Sequence, residues 1–129
     1  MKSISKFVIE KLIINKDTKN IKRETNDPTT WQIGDILCGT WGYSMTLPEW
    51  YQIVKKTPKG FGVVELSSKI IKGSRNGQWE EIPDESKREK DLQGKVINCR
   101  IKKYGGLKIE NTWVHLWDGE TPLHGDDMD

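Results

Sequence analysis

From Trp31 onward, polar and apolar positions alternate along much of the chain with a period of two, the spacing that gives a strand one buried and one solvated face. Lys95 to Lys103 is the clearest case. There Ile97, Cys99 and Ile101 fall on one face and Asn98, Arg100 and Lys102 on the other, which predicts a half-buried strand with a basic outer side. Trp113 to Trp117 repeats the pattern, with Trp113, His115 and Trp117 on one face and Val114 and Leu116 opposite. Further strands are predicted over Trp31 to Cys38, Leu47 to Lys56, Phe61 to Ser67 and Leu107 to Glu110, with Ile70 and Ile71 continuing the third past a bulge. Pro48 fits only at the start of its strand, because proline cannot donate to a ladder. Thr57-Pro58-Lys59-Gly60 makes a hairpin turn, Lys72 to Gly77 an exposed turn ending in Asn-Gly, and Tyr104-Gly105-Gly106 a third.

Three segments break the pattern. Residues 1–30 are polar and end in the turn former Asn26-Asp27-Pro28, so they are read as an irregular N-terminal extension. Its one apolar patch, Ile4 to Ile14, fits strand or helix, and β-branched content favours strand. Residues 80–93 offer little apolar face beyond Ile82 and Leu92, so 79–93 is read as a solvated insertion, with one short helix around Ser86 to Leu92. Residues 119–129 form an acidic tail, expected to be disordered. Short strands joined by tight turns leave no room for the helical crossovers that parallel strands require. The expected fold is therefore mainly β: a small antiparallel, strongly bent sheet or Tudor/KOW-like barrel over residues 31–118.

Charge sharpens this picture. The net charge of +2 conceals a tail (118–129) holding Asp118, Glu120, Asp126, Asp127 and Asp129 and no base. Residues 94–109 hold Lys95, Arg100, Lys102, Lys103 and Lys108 and no acid. Phe7 to Ile14 is interrupted by Glu10 and Lys11, and no apolar run approaches the roughly 20 residues that span a bilayer. A cytoplasmic protein without a membrane partner is expected. Cys38 and Cys99 then read as reduced core thiols.

The segment Trp41 to Val54 carries four aromatic rings and follows Gly34-Asp35-Ile36-Leu37. Together with Trp41-Gly42-Tyr43, Thr46, Trp50-Tyr51-Gln52-Ile53-Val54 and Leu116-Trp117-Asp118-Gly119, it resembles a group of small proteins encoded by bacteriophages and mobile elements. In that group a "GDI…SWGY…T…FYQV" core precedes a "YLWDGKP" ending. The resemblance covers roughly residues 33–123 and implies a phage or mobile-element origin in a bacterial host and a compact β-fold; it implies no activity. The chain departs from the pattern at Trp50, where the group has Phe, and at Glu120-Thr121-Pro122.

Core packing is expected of Trp41 and Tyr51, and exposure of Tyr43 and Trp50, which become candidates for partner binding. The basic strand supplies the nucleic-acid candidates Arg100, Lys102, Lys103 and Lys108, with Tyr104 at its end as a stacking surface and Trp113 near it. A solvated face that guards a sheet edge is the plainer account of the same lysines. Cys38, Cys99, His115 and His124 lack zinc-site spacing, and Ser44 lacks the Gly-x-Ser-x-Gly context of a nucleophile. No metal, cofactor or catalytic constellation is implied. Two functions stay open: a non-enzymatic barrel that binds nucleic acid through the basic face, and a phage-encoded inhibitor or adapter that engages a host protein through the aromatic segment or acidic regions.

Overall fold

Nine strands account for most of the computed structural model, which describes residues 24–42 and 45–127. They are β1 (Ile36–Trp41), β2 (Leu47–Thr57), β3 (Gly60–Glu65), β4 (Ser68–Gly73), β5 (Gln78–Pro83), β6 (Ile97–Arg100), β7 (Leu107–Ile109), β8 (Thr112–Leu116) and β9 (Leu123–Asp126). A single-turn helix, α1 (Arg88–Asp91), precedes β6. Six strands form one antiparallel sheet in the order β6-β3-β2-β1-β8-β7. Its ends meet at an Ile101–Leu107 bridge, reinforced by the Lys102 N–H donating to the Gly106 carbonyl at 2.8 Å. The sheet is thus a nearly closed barrel. As in other small barrels, side chains fill its interior.

Alternation explains what fills it. Leu37, Tyr51, Ile53, Phe61, Val63, Leu107, Ile109 and Val114 point inward and are buried together with Trp31. Trp31 is not part of a strand, contrary to the sequence expectation. The Gln32 N–H donates to Asp35 at 2.7 Å and the Asp35 N–H to the Gln32 carbonyl, so residues 31–35 turn and β1 starts only at Ile36. Trp31 instead packs on Phe61 with ring centroids 6.0 Å apart, and its indole N–H donates to the Glu24 carbonyl at 2.8 Å. The last residues of the N-terminal extension therefore brace the barrel.

A second layer covers part of the outer wall. Strands β4-β5-β9 form a three-stranded sheet, and with α1 they cover a second core of Cys38, Trp50, Val64, Leu66 and Leu92. β1, β2 and β3 are consequently buried on both faces. This layer overturns two expectations. Residues 79–93 are not a solvated insertion: Trp79 and Glu81 on β5 are each 2% exposed, and Leu92 is fully buried. The acidic tail is not disordered over its described part either, because β9 pairs with β5 from Gln78↔Asp126 to Glu81↔Leu123. Gly125 makes that pairing feasible, since a Cβ there would lie 2.1 Å from the Trp79 ring. The short helix expected around Ser86 to Leu92 forms as a 3-10 turn, Glu85–Lys87, running into α1; Asp84 caps the turn by accepting from the Ser86 N–H at 3.0 Å. Ile70 and Ile71 belong to a separate strand of the second sheet, with a bulge between Ile70 and Lys72. Among the described residues no helix is long and apolar enough to cross a membrane.

Candidate functional site: the basic and aromatic face of the barrel

On β6 the inward Ile97 and Cys99 leave Asn98 and Arg100 outward and exposed. On β7 the buried Leu107 and Ile109 leave Lys108 outward, and on β8 the buried Thr112 and Val114 leave Trp113 outward. Register then places these side chains in a row. Lys108 lies opposite Trp113, and extending the Ile101–Leu107 bridge by one residue sets Arg100 beside Lys108. Neighbouring strands are about 4.8 Å apart, so the row spans three adjacent strands of one open wall.

The rings complete the surface. Tyr104, in the β6–β7 turn, is 70% exposed and Trp113 is 48% exposed. Their centroids are 5.8 Å apart and the planes are tilted by 50°. The Lys108 Nζ lies 5.8 Å from the Trp113 ring centroid, within cation–π range. The indole also lies over Gly106, where a Cβ would come within 2.8 Å of it. Lys102 and Lys103 are exposed in the same turn, and no carboxylate among the described residues pairs with Arg100, Lys102, Lys103 or Lys108. All six residues expected from the basic strand and its neighbours thus share one side of the barrel.

The partner-binding pair fares differently. Trp50 is 1% exposed, because it faces the second layer; its indole N–H donates to the Glu81 carboxylate at 2.7 Å and its ring meets Trp117 edge-on at 5.3 Å. It offers no surface to a partner. Tyr43 lies outside the described residues. Trp41 is 40% exposed rather than a core residue, and Tyr51 is buried as expected. Trp113, His115 and Trp117 do share a face, but the second layer covers Trp117, and His115 Nε2 sits 3.4 Å from the Cys38 sulfur.

Sequence reasoning missed an acidic mouth at one end of the barrel. Glu49 accepts hydrogen bonds from the Tyr51 hydroxyl at 2.7 Å, the Thr112 hydroxyl at 2.8 Å and the Trp41 indole at 2.9 Å. Glu65 and Glu110 flank it and border an open cleft of about 820 Å³ that Lys90, Asp91 and Lys95 also line. Burial, then the Glu49 hydrogen bond and the surrounding carboxylates, push the Tyr51 phenol up. Burial, then Glu49, Glu110 and Asp91, push the Glu65 carboxyl up. Only strand register unites residues so far apart in sequence, so no spacing motif announces them.

A pH-dependent stability difference follows. A carboxyl whose folded pKa exceeds its unfolded value opposes folding at neutral pH, and the opposition is relieved as pH falls through the folded pKa. Glu65→Gln is expected to raise the thermal midpoint at neutral pH and to match the parent at about pH 4. The gain should be at most about 0.5 kcal/mol, because solvent screens a partly exposed group. Equal or lower stability of the variant at neutral pH would contradict the assignment.

The thiols are poor nucleophiles. Burial, then the charge of Asp118, pushes Cys38 up to about 12, and burial pushes Cys99 up to about 11, with a backbone hydrogen bond from Phe61 pulling weakly the other way. Both stay protonated at neutral pH. Among the described residues no three His, Cys, Asp or Glu side chains are grouped to hold a metal ion. No family model, curated protein or solved structure matches the chain.

Proposed function

We propose that this chain is a non-enzymatic binding module that takes single-stranded nucleic acid across the outer face of β6, β7 and β8. Arg100, Lys102, Lys103 and Lys108 contact phosphates, while Tyr104 and Trp113 stack on bases. One observation carries this reading: two large rings stand exposed side by side within a row of cations that pair with no carboxylate among the described residues. Cations alone serve duplex and single strand alike. Exposed rings favour the single strand, because a duplex keeps the faces of its bases stacked on one another. Residues Leu123–Asp126 of the acidic tail, which could have covered this face, are paired to β5 in the second sheet instead. A bacteriophage or mobile-element origin is part of the proposal and is supported by the sequence resemblance.

Anisotropy titrations with single strands of about 16 nucleotides and a duplex of equal length test the reading. The single strand should bind more tightly. With four phosphate contacts the logarithmic salt slope should approach about −3, equivalent to a loss of about 50-fold in affinity between roughly 50 and 200 mM salt. Trp113→Ala should weaken single-strand binding by about 5- to 150-fold with little change in that slope, because stacking carries no counterion release. Absent binding at low salt, or tighter binding of the duplex, would overturn the proposal.

A further inference from the structure

Among the described residues the second sheet ends on one side in β4, which is hydrogen-bonded to β5 and to no strand beyond it. Such an edge presents a row of ladder groups, half of them directed away from the sheet. Every residue from Lys69 to Gly73 is exposed, including Ile70 at 36% and Ile71 at 48%. The strand carries Lys69 and Lys72 and no acid, and Arg75 follows in the turn with a side chain 60% exposed. Two neighbouring isoleucines on a sheet edge, set between cations, are more than a solvated surface requires.

We propose that the β4 edge accepts an extended segment of a partner protein as an additional strand, and that this segment alternates apolar and acidic residues. Backbone ladder bonds supply the pairing, as in other strand-addition complexes, and side chains supply the selection. The charges point to an acidic occupant. Opposite charges across a strand pair attract and like charges repel. A second copy of this chain is the wrong partner for the same reason: antiparallel β4–β4 pairing with Ile70 opposite Ile71 sets Lys69 against Lys72 at both ends. Glu80 lies opposite Lys72 on β5 and tempers that one charge, while Lys69 faces the apolar Ile82. The bulge between Ile70 and Lys72 and the lysines also discourage indiscriminate pairing, so the edge is selective rather than merely open. This surface lies on the second sheet, apart from the nucleic-acid face on β6 to β8, and its argument stands independently of that reading.

The test uses the full chain and two synthetic peptides of about nine residues, one alternating Glu and Val and one alternating Lys and Val. Amide hydrogen exchange locates the contact, and titration measures affinity. The Glu/Val peptide should slow exchange at amides of residues 68–73. The double substitution Lys69→Glu and Lys72→Glu, on exposed positions that leave the core untouched, should weaken that peptide by about tenfold or more and favour the Lys/Val peptide instead. Protection confined to residues 97–113 would show that the acidic peptide simply binds the other basic face, and would overturn the proposal. So would equal affinity for the two peptides, protection of the β4 amides already present in the free monomer, or concentration-dependent self-association that the charge reversal leaves unchanged.

Discussion

Glu81→Ala is expected to destabilise the fold by about 3 to 5 kcal/mol, the largest effect of any single charged-residue substitution proposed for this chain. The carboxylate is 2% exposed and accepts from two indoles, Trp50 Nε1 on one oxygen and Trp79 Nε1 on the other, both at 2.7 Å. One ring belongs to the barrel and the other to the second sheet, so this group links the two layers. Alanine leaves both indole N–H groups without this acceptor and opens a void between them. A hydrogen bond to a charged group contributes about 1.5 to 3 kcal/mol, and two are lost here. Arg75 also loses its partner: its guanidinium lies 3.7 Å from Glu81 Oε1 and over the Trp79 ring at 5.0 Å. With the Arg75 side chain 60% exposed and the contact this long, that ion pair adds little. Glu81→Gln keeps one acceptor but turns an amide donor toward the other indole, and should fall between parent and alanine. Urea unfolding measures the series, and Trp50→Phe should cost less in the alanine background than alone, because the pair acts through one bond. A loss below about 1 kcal/mol for Glu81→Ala would contradict the clamp.

The second large effect is on binding. Arg100→Glu combined with Lys108→Glu should lower single-strand affinity by about 100-fold or more, since each charge-assisted contact is worth about 1.5 kcal/mol or above and reversal adds repulsion. The neutral pair Arg100→Gln and Lys108→Gln should instead flatten the salt slope by about 1.4, the counterions released at two sites on a single strand. Folding should be nearly unchanged in both, because these side chains point outward from β6 and β7 and make no ion pair among the described residues. An unchanged affinity in the reversed variant, with folding intact, would remove the cations from the interface.

Strand alternation is legible where one face meets water. Ile97, Cys99 and Ile101 against Asn98 and Arg100 placed β6 and its basic side correctly, and the hairpin turn between β2 and β3 fell where Pro58 and Lys59 stand. It fails where both faces are buried. Trp50 to Ile53 are four consecutive buried residues, so period two cannot say which ring enters the barrel and which faces the second layer. That is why Trp50 was misplaced, whereas Trp41 escapes the core because it stands at the exposed end of β1. β5 was hidden for another reason: its buried side reads Trp79, Glu81, Pro83, and a carboxylate inside a core looks solvated until its two indole partners are known. β9 buries Gly125, which has no side chain to signal burial. The acidic mouth of Glu49, Glu65 and Glu110 exists only through closure of the barrel, a long-range property of register.

Ultraviolet cross-linking of the full chain to a halogenated-uracil single strand, with adducts located by mass spectrometry, asks directly which rings touch bases. Adducts on Tyr104 and Trp113 are expected, with competition by unlabelled single strand and little by duplex. Adducts confined to Trp41 or to other residues, with Tyr104 and Trp113 unmodified in a complex known to form, would contradict the account.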